Sequence, residues 1–195
     1  MRQIINILLI LAIALLAYML YNAIKEPIAF GEAKAERKEA VVQKLQTIRR
    51  AQEVYRTITG GFANSFDSLA YVLNNGQIPT VKLLEDPEDP TNPDKFTKTV
   101  TYSSAKDSVR SFGITNADSL RYVPYSGGKE FKISADTLTY QQTLVSVTEV
   151  GTQWKNFMGI FADPKYSKYD AGYEPEAMIK FGDMNKPNLS GNWER

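Results

Sequence analysis

An uninterrupted apolar run opens the pattern of hydrophobic and polar positions along this chain. Residues Ile4–Ile24 contain no charged side chain. As a helix rising about 1.5 Å per residue, they would span about 30 Å, the thickness of a bilayer's hydrocarbon core. Tyr18 and Tyr21 lie near one end, where aromatic side chains reach the headgroups. The run exceeds the roughly 7–15 apolar residues of a cleaved signal peptide, so residues 1–25 are predicted to be a retained transmembrane anchor.

An amphipathic pattern follows from residue 26 to residue 60. Its apolar positions recur in steps of three and four, which predicts a helix with one buried stripe. The stripe consists of Val41, Leu45, Ile48, Ala51 or Gln52, Tyr55 and Ile58. Pro27 and Gly31 are expected to kink this helix at most, whereas Gly60 and Gly61 should end it. Joined to the anchor, residues 4–58 would form one rod about 80 Å long.

The remaining residues, 61–195, are predicted to form one extramembrane α+β domain. A short helix should begin after the cap residue Ser65 and end at Gly76. Residues 84–95 hold three prolines among acidic side chains and are predicted to be a loop. Five segments have strand patterns: Thr97–Ser103, the hairpin candidates Ser119–Tyr125 and Glu130–Ser134, Leu138–Gln142, and Leu144–Val150.

The tail from Phe157 onward is rich in aromatic residues, glycine and proline, with little hydrophobic periodicity. It is predicted to be irregular, apart from one short strand at Met178–Phe181. The predicted fold class is therefore α+β: a long N-terminal helix, half transmembrane and half amphipathic, packs on an antiparallel β-sheet. An irregular, aromatic-rich C-terminal tail completes the domain.

Composition narrows the chemistry that this domain can perform. The chain contains no cysteine and no histidine, so it lacks thiolate nucleophiles, the commonest general base and the commonest transition-metal ligand. Its 23 basic residues nearly balance its 22 acidic residues, which gives no electrostatic reason to expect a nucleic-acid partner. We predict that the protein is not an enzyme, and we nominate no catalytic, cofactor-binding or metal-binding residue.

Part of the chain resembles a known family. Residues 41–55 (VVQKLQTIRRAQEVY) are followed by the segments 60–63 (GGFA) and 66–69 (FDSL). This order is similar to that of type IV pilins and type II secretion pseudopilins. In those proteins a membrane helix continues into an amphipathic half, a glycine–aromatic turn, a short helix and an antiparallel sheet. The resemblance covers residues 4–75 and implies a role in assembly or secretion rather than in catalysis.

The orientation of the domain has two conflicting indications. Arg2 alone precedes the apolar run, whereas several basic residues follow it from Lys25 onward, which would place the C-terminal domain in the cytoplasm. The family resemblance implies the opposite: a bacterial inner-membrane protein with one span and an extracytoplasmic domain. That is our expectation, although the chain has no glycine before the apolar run and no acidic residue before Lys25. The family's leader-peptidase site and membrane glutamate are therefore not found.

Two kinds of side chain are candidates for binding. The tail carries a series of large aromatic residues, and tyrosine and tryptophan dominate partner-binding surfaces. Core packing is the favoured reading of these side chains. The alternative is a partner-binding surface, for which we nominate Tyr166, Tyr169, Tyr173 and Trp193. Acidic side chains in the loop 85–94 offer the oxygen ligands that calcium prefers, but their spacing is not that of an EF-hand, and a solvated loop is the favoured reading. A looser set, Asp163, Asp170, Glu174 and Asp183, has a weaker claim still.

Two hypotheses for function follow from these patterns. The first is a single-pass, membrane-anchored, pseudopilin-like structural subunit of a cell-envelope assembly or secretion apparatus. The alternative is a membrane-tethered binding or accessory module that recognises a partner through its Tyr/Trp-rich C-terminal region. Both imply the lipid bilayer as a partner of residues 4–24, and protein partners or self-assembly are expected. An anchored hydrolase ranks third, because no carboxylate pair is nominated for it.

Overall fold

One long helix forms the axis of the molecule. The computed structural model describes residues 2–85 and 96–194, and helix α1 runs from Arg2 to Thr59 without a break. Pro27 lies inside α1 and does not end it, in agreement with the sequence prediction. Gly60 follows with a positive φ of 86°, a conformation that glycine adopts without strain and that stops the helix. The predicted single rod is therefore confirmed.

The two halves of α1 have opposite surroundings. From Arg2 to Lys25 every residue is exposed, and this part of the helix is long and apolar enough to cross a membrane. In the second half, most of the predicted stripe is buried: Val41, Leu45, Ile48, Ala51 and Gln52 are almost fully inaccessible. Its last two members, Tyr55 and Ile58, are half-buried. Both Ala51 and Gln52, between which the pattern did not decide, face the core.

Helix α2 and a β-ribbon follow α1. Helix α2 extends from Phe66 to Asn75, and the Ser65 hydroxyl accepts a hydrogen bond of 3.2 Å from the Ser68 amide, so the predicted cap is confirmed. Strands β1 (Gln77–Glu85) and β2 (Phe96–Ser104) then pair antiparallel as a two-stranded sheet. The second strand was predicted. The first strand was not predicted, because Pro79 and the neighbouring acidic segment do not have a strand pattern. The loop predicted from residue 84 therefore overlaps the last two residues of β1.

The predicted hairpin around residues 119–134 is confirmed only in part. After helix α3 (Ala105–Ser111), a 3₁₀ turn (Ala117–Arg121) takes the place of the start of its first strand. Across the glycine turn, a single antiparallel bridge joins Tyr122 to Glu130. The Asn116 side chain caps the 3₁₀ turn by accepting from the Asp118 amide at 2.9 Å. This local bond satisfies a backbone donor that a strand would have paired with its neighbour.

The main sheet has three antiparallel strands in the order β3-β4-β5: Lys132–Tyr140, Thr143–Gln153 and Met178–Gly182. The predicted strand Leu138–Gln142 is instead the end of β3 and its turn. Gln141 and Gln142 both have positive φ, 47° and 66°, as a tight two-residue hairpin turn requires. The predicted strands at Leu144–Val150 and Met178–Phe181 are confirmed within β4 and β5.

The tail between β4 and β5 is irregular, as predicted, and consists largely of 3₁₀ turns. These are Trp154–Asn156, Gly159–Ala162 and Pro164–Lys168. The core joins this tail to the second half of α1, to α2 and to the main sheet, and its members include Phe30, Leu45, Leu69, Val150 and Phe181. The architecture is α+β, with a long N-terminal helix, antiparallel sheets and an aromatic-rich C-terminal region.

Candidate functional site

The aromatic tail packs on one face of helix α1 just beyond its apolar half. Phe30, which is 2% exposed, lies at the centre of the contact. Its ring centroid is 5.1–6.2 Å from those of four tail residues: Phe161, Tyr166, Tyr169 and Tyr173. Trp154 extends the group, with its ring edge-on to Tyr173 at 5.9 Å. We call these six residues the aromatic clamp.

Polar contacts hold the clamp to three successive turns of α1. The Tyr169 hydroxyl donates to the Glu26 carboxylate at 2.7 Å, and the Lys34 ammonium forms an ion pair with Asp170. Three turns from Glu26 lies Arg37, whose guanidinium donates to the Phe157 carbonyl at 3.0 Å. The Lys34 ammonium also lies 5.4 Å from the Trp154 ring centroid, within the range of a cation–π interaction.

These contacts change the acidity of the groups that make them. The Tyr169 hydroxyl bond lowers the pKa of Glu26 below its ordinary value. The Lys34 ammonium and the Gly172 amide lower the pKa of Asp170. Burial raises the pKa of the Tyr173 phenol, whose hydroxyl donates to the Phe161 carbonyl at 2.7 Å. Both carboxyl groups are therefore held in the charged form in which they bind the tail to the helix.

Hydrophobic periodicity missed the helix side of the clamp. Counting back from Val41 in steps of three and four reaches Arg37, Lys34, Phe30 and Glu26. The stripe therefore continues towards the apolar half of α1, but three of its four added positions are charged. Each of the three is bound by a tail residue, as described above. A search for continued helical spacing, with charge allowed, would have found the helix side of the clamp.

The four residues nominated for partner binding do not form an exposed surface. Tyr166 and Tyr173 are buried in the clamp, and Tyr169 is half-buried beside them. Trp193 is half-buried in a different place, where its indole lies over Gly191. Three of the four are thus brought together, but around Phe30. Tyr166 and Tyr173 belong to the core, as the favoured reading of these side chains expected.

The candidate acidic sets do not assemble a metal site in the described residues. Within residues 2–85 and 96–194, no group of three or more carboxylates lies close enough to hold a metal ion. Asp163 and Asp183 instead accept hydrogen bonds from backbone amides two residues ahead of them, and Asp170 binds Lys34. Residues 86–94 of the candidate calcium loop lie outside the described residues, and the backbone of Glu85 belongs to β1.

The outer rim of the clamp is basic. Lys165 and Lys168 are exposed, and their ammonium groups lie 4.9 Å and 4.5 Å from the ring centroids of Tyr166 and Tyr169. Both charges contribute to lowering the pKa of Glu26, which places them near that residue. On the helix itself, the Lys25 ammonium lies 5.4 Å from the Tyr21 ring centroid. The ammonium groups of Lys165 and Lys168 therefore lie at the end of the clamp nearest the apolar half of α1, whereas Lys25 lies on another face of the helix, with Tyr21 and Ile28.

No protein-family model, curated protein or solved structure matches the chain. Interpretation of the site therefore depends on its own geometry. That geometry consists of packing and fixed charge pairs around one helix. It fastens the tail to α1 and leaves the ammonium groups of Lys165 and Lys168 exposed at the rim.

Proposed function

We propose that this protein is a single-pass, membrane-anchored, pseudopilin-like structural subunit of a cell-envelope assembly or secretion apparatus. One observation supports the proposal above all: a single unbroken helix, Arg2–Thr59, has an entirely exposed apolar half and a half that forms the spine of the globular domain. A bilayer would cover the first half. Leaving large apolar side chains in water forfeits roughly 1.5–3 kcal/mol for each of them.

The clamp also supports a structural role. It braces α1 on both sides of Pro27 and Gly31, the two positions where a helix bends most readily. A braced helix holds the domain at a fixed position relative to the anchor. A subunit that packs repeatedly against copies of itself needs such a fixed relation, whereas a tethered receptor works equally well on a flexible stalk.

Cysteine cross-linking in membranes tests this proposal. Because the chain has no cysteine, single replacements at each position from Ile4 to Ile24 would report on one site at a time. A self-assembling subunit should give oxidised dimers at positions recurring every three to four residues, the spacing of one helix face. Tyr71→Cys, on an exposed face of α2, is the control for random collision. Dimers at no position, or equally at all positions, would contradict self-assembly through the anchor.

The alternative function, a tethered binding module, now requires a different surface. The nominated tyrosines contribute to the clamp, so their loss would remove core packing as well as any contact with a partner. The proposed location is the bacterial inner membrane with the domain on the extracytoplasmic side. The proposed partners are lipid along residues 4–24 and further copies of the chain or other protein subunits.

A further inference from the structure

We propose that the Pro164–Lys168 turn forms a binding site for the headgroups of anionic phospholipids in the leaflet that α1 leaves. This inference rests on the proposed membrane anchorage of residues 4–24. It adds a second membrane contact, made by the tail of the domain rather than by the anchor. The occupant is the bilayer surface itself, recognised through its lipid phosphates.

Position along the helix is the first argument. The Tyr169 hydroxyl contacts Glu26, which follows the last residue of the apolar run by two positions. At about 1.5 Å per residue, Glu26 lies about 3 Å beyond Ile24 along the helix axis. The headgroup layer on each side of a bilayer is roughly 5–8 Å thick. A contact made at Glu26 therefore falls within that layer. Because Tyr169 directly follows the Pro164–Lys168 turn, that turn should lie at the same depth.

The opposite side of the helix also indicates that Glu26 lies at the level of the headgroups. Ile28, four residues after Ile24, continues the apolar face and is 55% exposed in the protein alone. An exposed isoleucine at this level is favourable at the boundary between hydrocarbon and headgroups. Transmembrane helices tilt on average by about 20°, and a tilt toward the tail would bring the Pro164–Lys168 turn still closer to the surface.

The chemistry of the rim suits phosphate. Lys165 and Lys168 are exposed, and within the described residues no carboxylate lies within 4 Å of either ammonium group. The nearby Glu26 carboxylate is already bound by the Tyr169 hydroxyl. Asp163 is engaged with the Lys165 amide. Lysines beside a membrane are attracted to anionic lipids. Tyrosine rings are enriched at the membrane–water interface, where Tyr169 would lie.

A depth measurement on the full chain tests the proposal. Pro164→Cys, on an exposed residue next to Lys165, would carry a nitroxide in vesicles of phosphatidylcholine alone or mixed with phosphatidylglycerol. Accessibility to a water-soluble nickel chelate, relative to oxygen, measures how deep the label lies. We expect phosphatidylglycerol to reduce nickel accessibility severalfold. A label at Tyr71→Cys, on the surface of α2 away from the clamp, should not change.

Charge variants test whether the lysines of the basic rim cause the effect of phosphatidylglycerol on nickel accessibility. Lys165→Glu with Lys168→Glu should abolish the effect of phosphatidylglycerol, and the neutral pair Lys165→Gln with Lys168→Gln should weaken it. The matched pair Lys106→Glu with Lys132→Glu changes two exposed lysines elsewhere and should preserve it. Equal nickel accessibility in both vesicles, or an effect that survives Lys165→Glu with Lys168→Glu, would overturn the proposal.

A label at Leu15→Cys distinguishes failure of the headgroup site from failure of the membrane anchorage on which it rests. Oxygen-rich, nickel-poor surroundings at Leu15 together with no response at residue 164 would overturn the headgroup site alone. A water-accessible label at Leu15 would overturn the proposed anchorage, and the headgroup site with it.

Discussion

Gln52 shows how a single polar residue fits the buried face of α1. Its side-chain amide donates to the Ala63 carbonyl, and its side-chain oxygen accepts from the Ala63 amide, both at 2.9 Å. The pair of bonds satisfies the buried amide and fixes the chain where it turns back after Gly60 and Gly61. A buried polar group left without such partners would cost roughly 1–3 kcal/mol. Gln52 therefore occupies a position in an apolar stripe without leaving its side-chain amide unpaired.

Leu45 tests the stripe at the scale of one residue. Its side chain is 0% exposed, so Leu45→Ala removes buried methyl groups and leaves a cavity. We expect a loss of about 2–5 kcal/mol in the free energy of unfolding. Chemical denaturation of the detergent-solubilised full chain, followed by tryptophan fluorescence, measures it. Leu144→Ala is the matched control, because Leu144 is 73% exposed and should change stability by less than about 0.5 kcal/mol. Equal effects of the two changes would show that the stripe does not pack in the core.

At the scale of elements, the clamp joins a helix and an irregular tail through charge as well as packing. Asp170 has a pKa below its ordinary value because Lys34 stabilises the carboxylate. A carboxyl group with a lowered pKa in the folded state stabilises the fold above its unfolded-state pKa, about 4 for aspartate. That contribution is lost as the pH falls through the lower folded-state value. Acid should therefore weaken the clamp.

Asp170→Asn isolates this contribution. At pH 7 the variant should unfold more easily than the wild-type protein, and the difference should shrink as the pH falls below about 4. Denaturant unfolding at a series of pH values, monitored by fluorescence of Trp154 in the clamp, measures it. Asp107→Asn is the control, since its carboxylate is largely exposed and 3.8 Å from Arg110. A wild-type advantage that persists undiminished in acid would contradict a role for the Asp170 charge.

The elements also show which parts of the fold the sequence could predict. Periodicity identified α1 and its stripe, and the Ser65 cap located α2, because both signals are local. The first strand of the hairpin predicted from Ser119 is wrong. Its apolar residues include Leu120 and Val123, which are buried but belong to a 3₁₀ turn and a loop rather than to a strand. The clamp could not be predicted from composition, since it pairs residues more than 100 positions apart.

On the scale of the whole molecule, the C-terminal region is attached to α1 at two levels. The clamp binds the helix between Glu26 and Arg37, and further along Arg49 donates to the Leu189 carbonyl and to Glu194. Both attachments join the end of the chain to its beginning. Movement of the helix is therefore coupled to the tail over about 35 Å of its length. This arrangement suits a rigid subunit whose domain and anchor move together.

The orientation of that subunit in the membrane is the last prediction. A reporter fused after Arg195 should be active outside the cytoplasm if the domain is extracytoplasmic, as the resemblance to pseudopilins implies. The basic residues after the anchor argue for the other side, and their contacts in the folded domain do not remove them from that count. Paired fusions of alkaline phosphatase, active only outside, and of a fluorescent protein active in the cytoplasm would measure the orientation. A cytoplasmic signal alone would remove the pilin-like proposal, whereas the clamp and its contacts would stand unchanged.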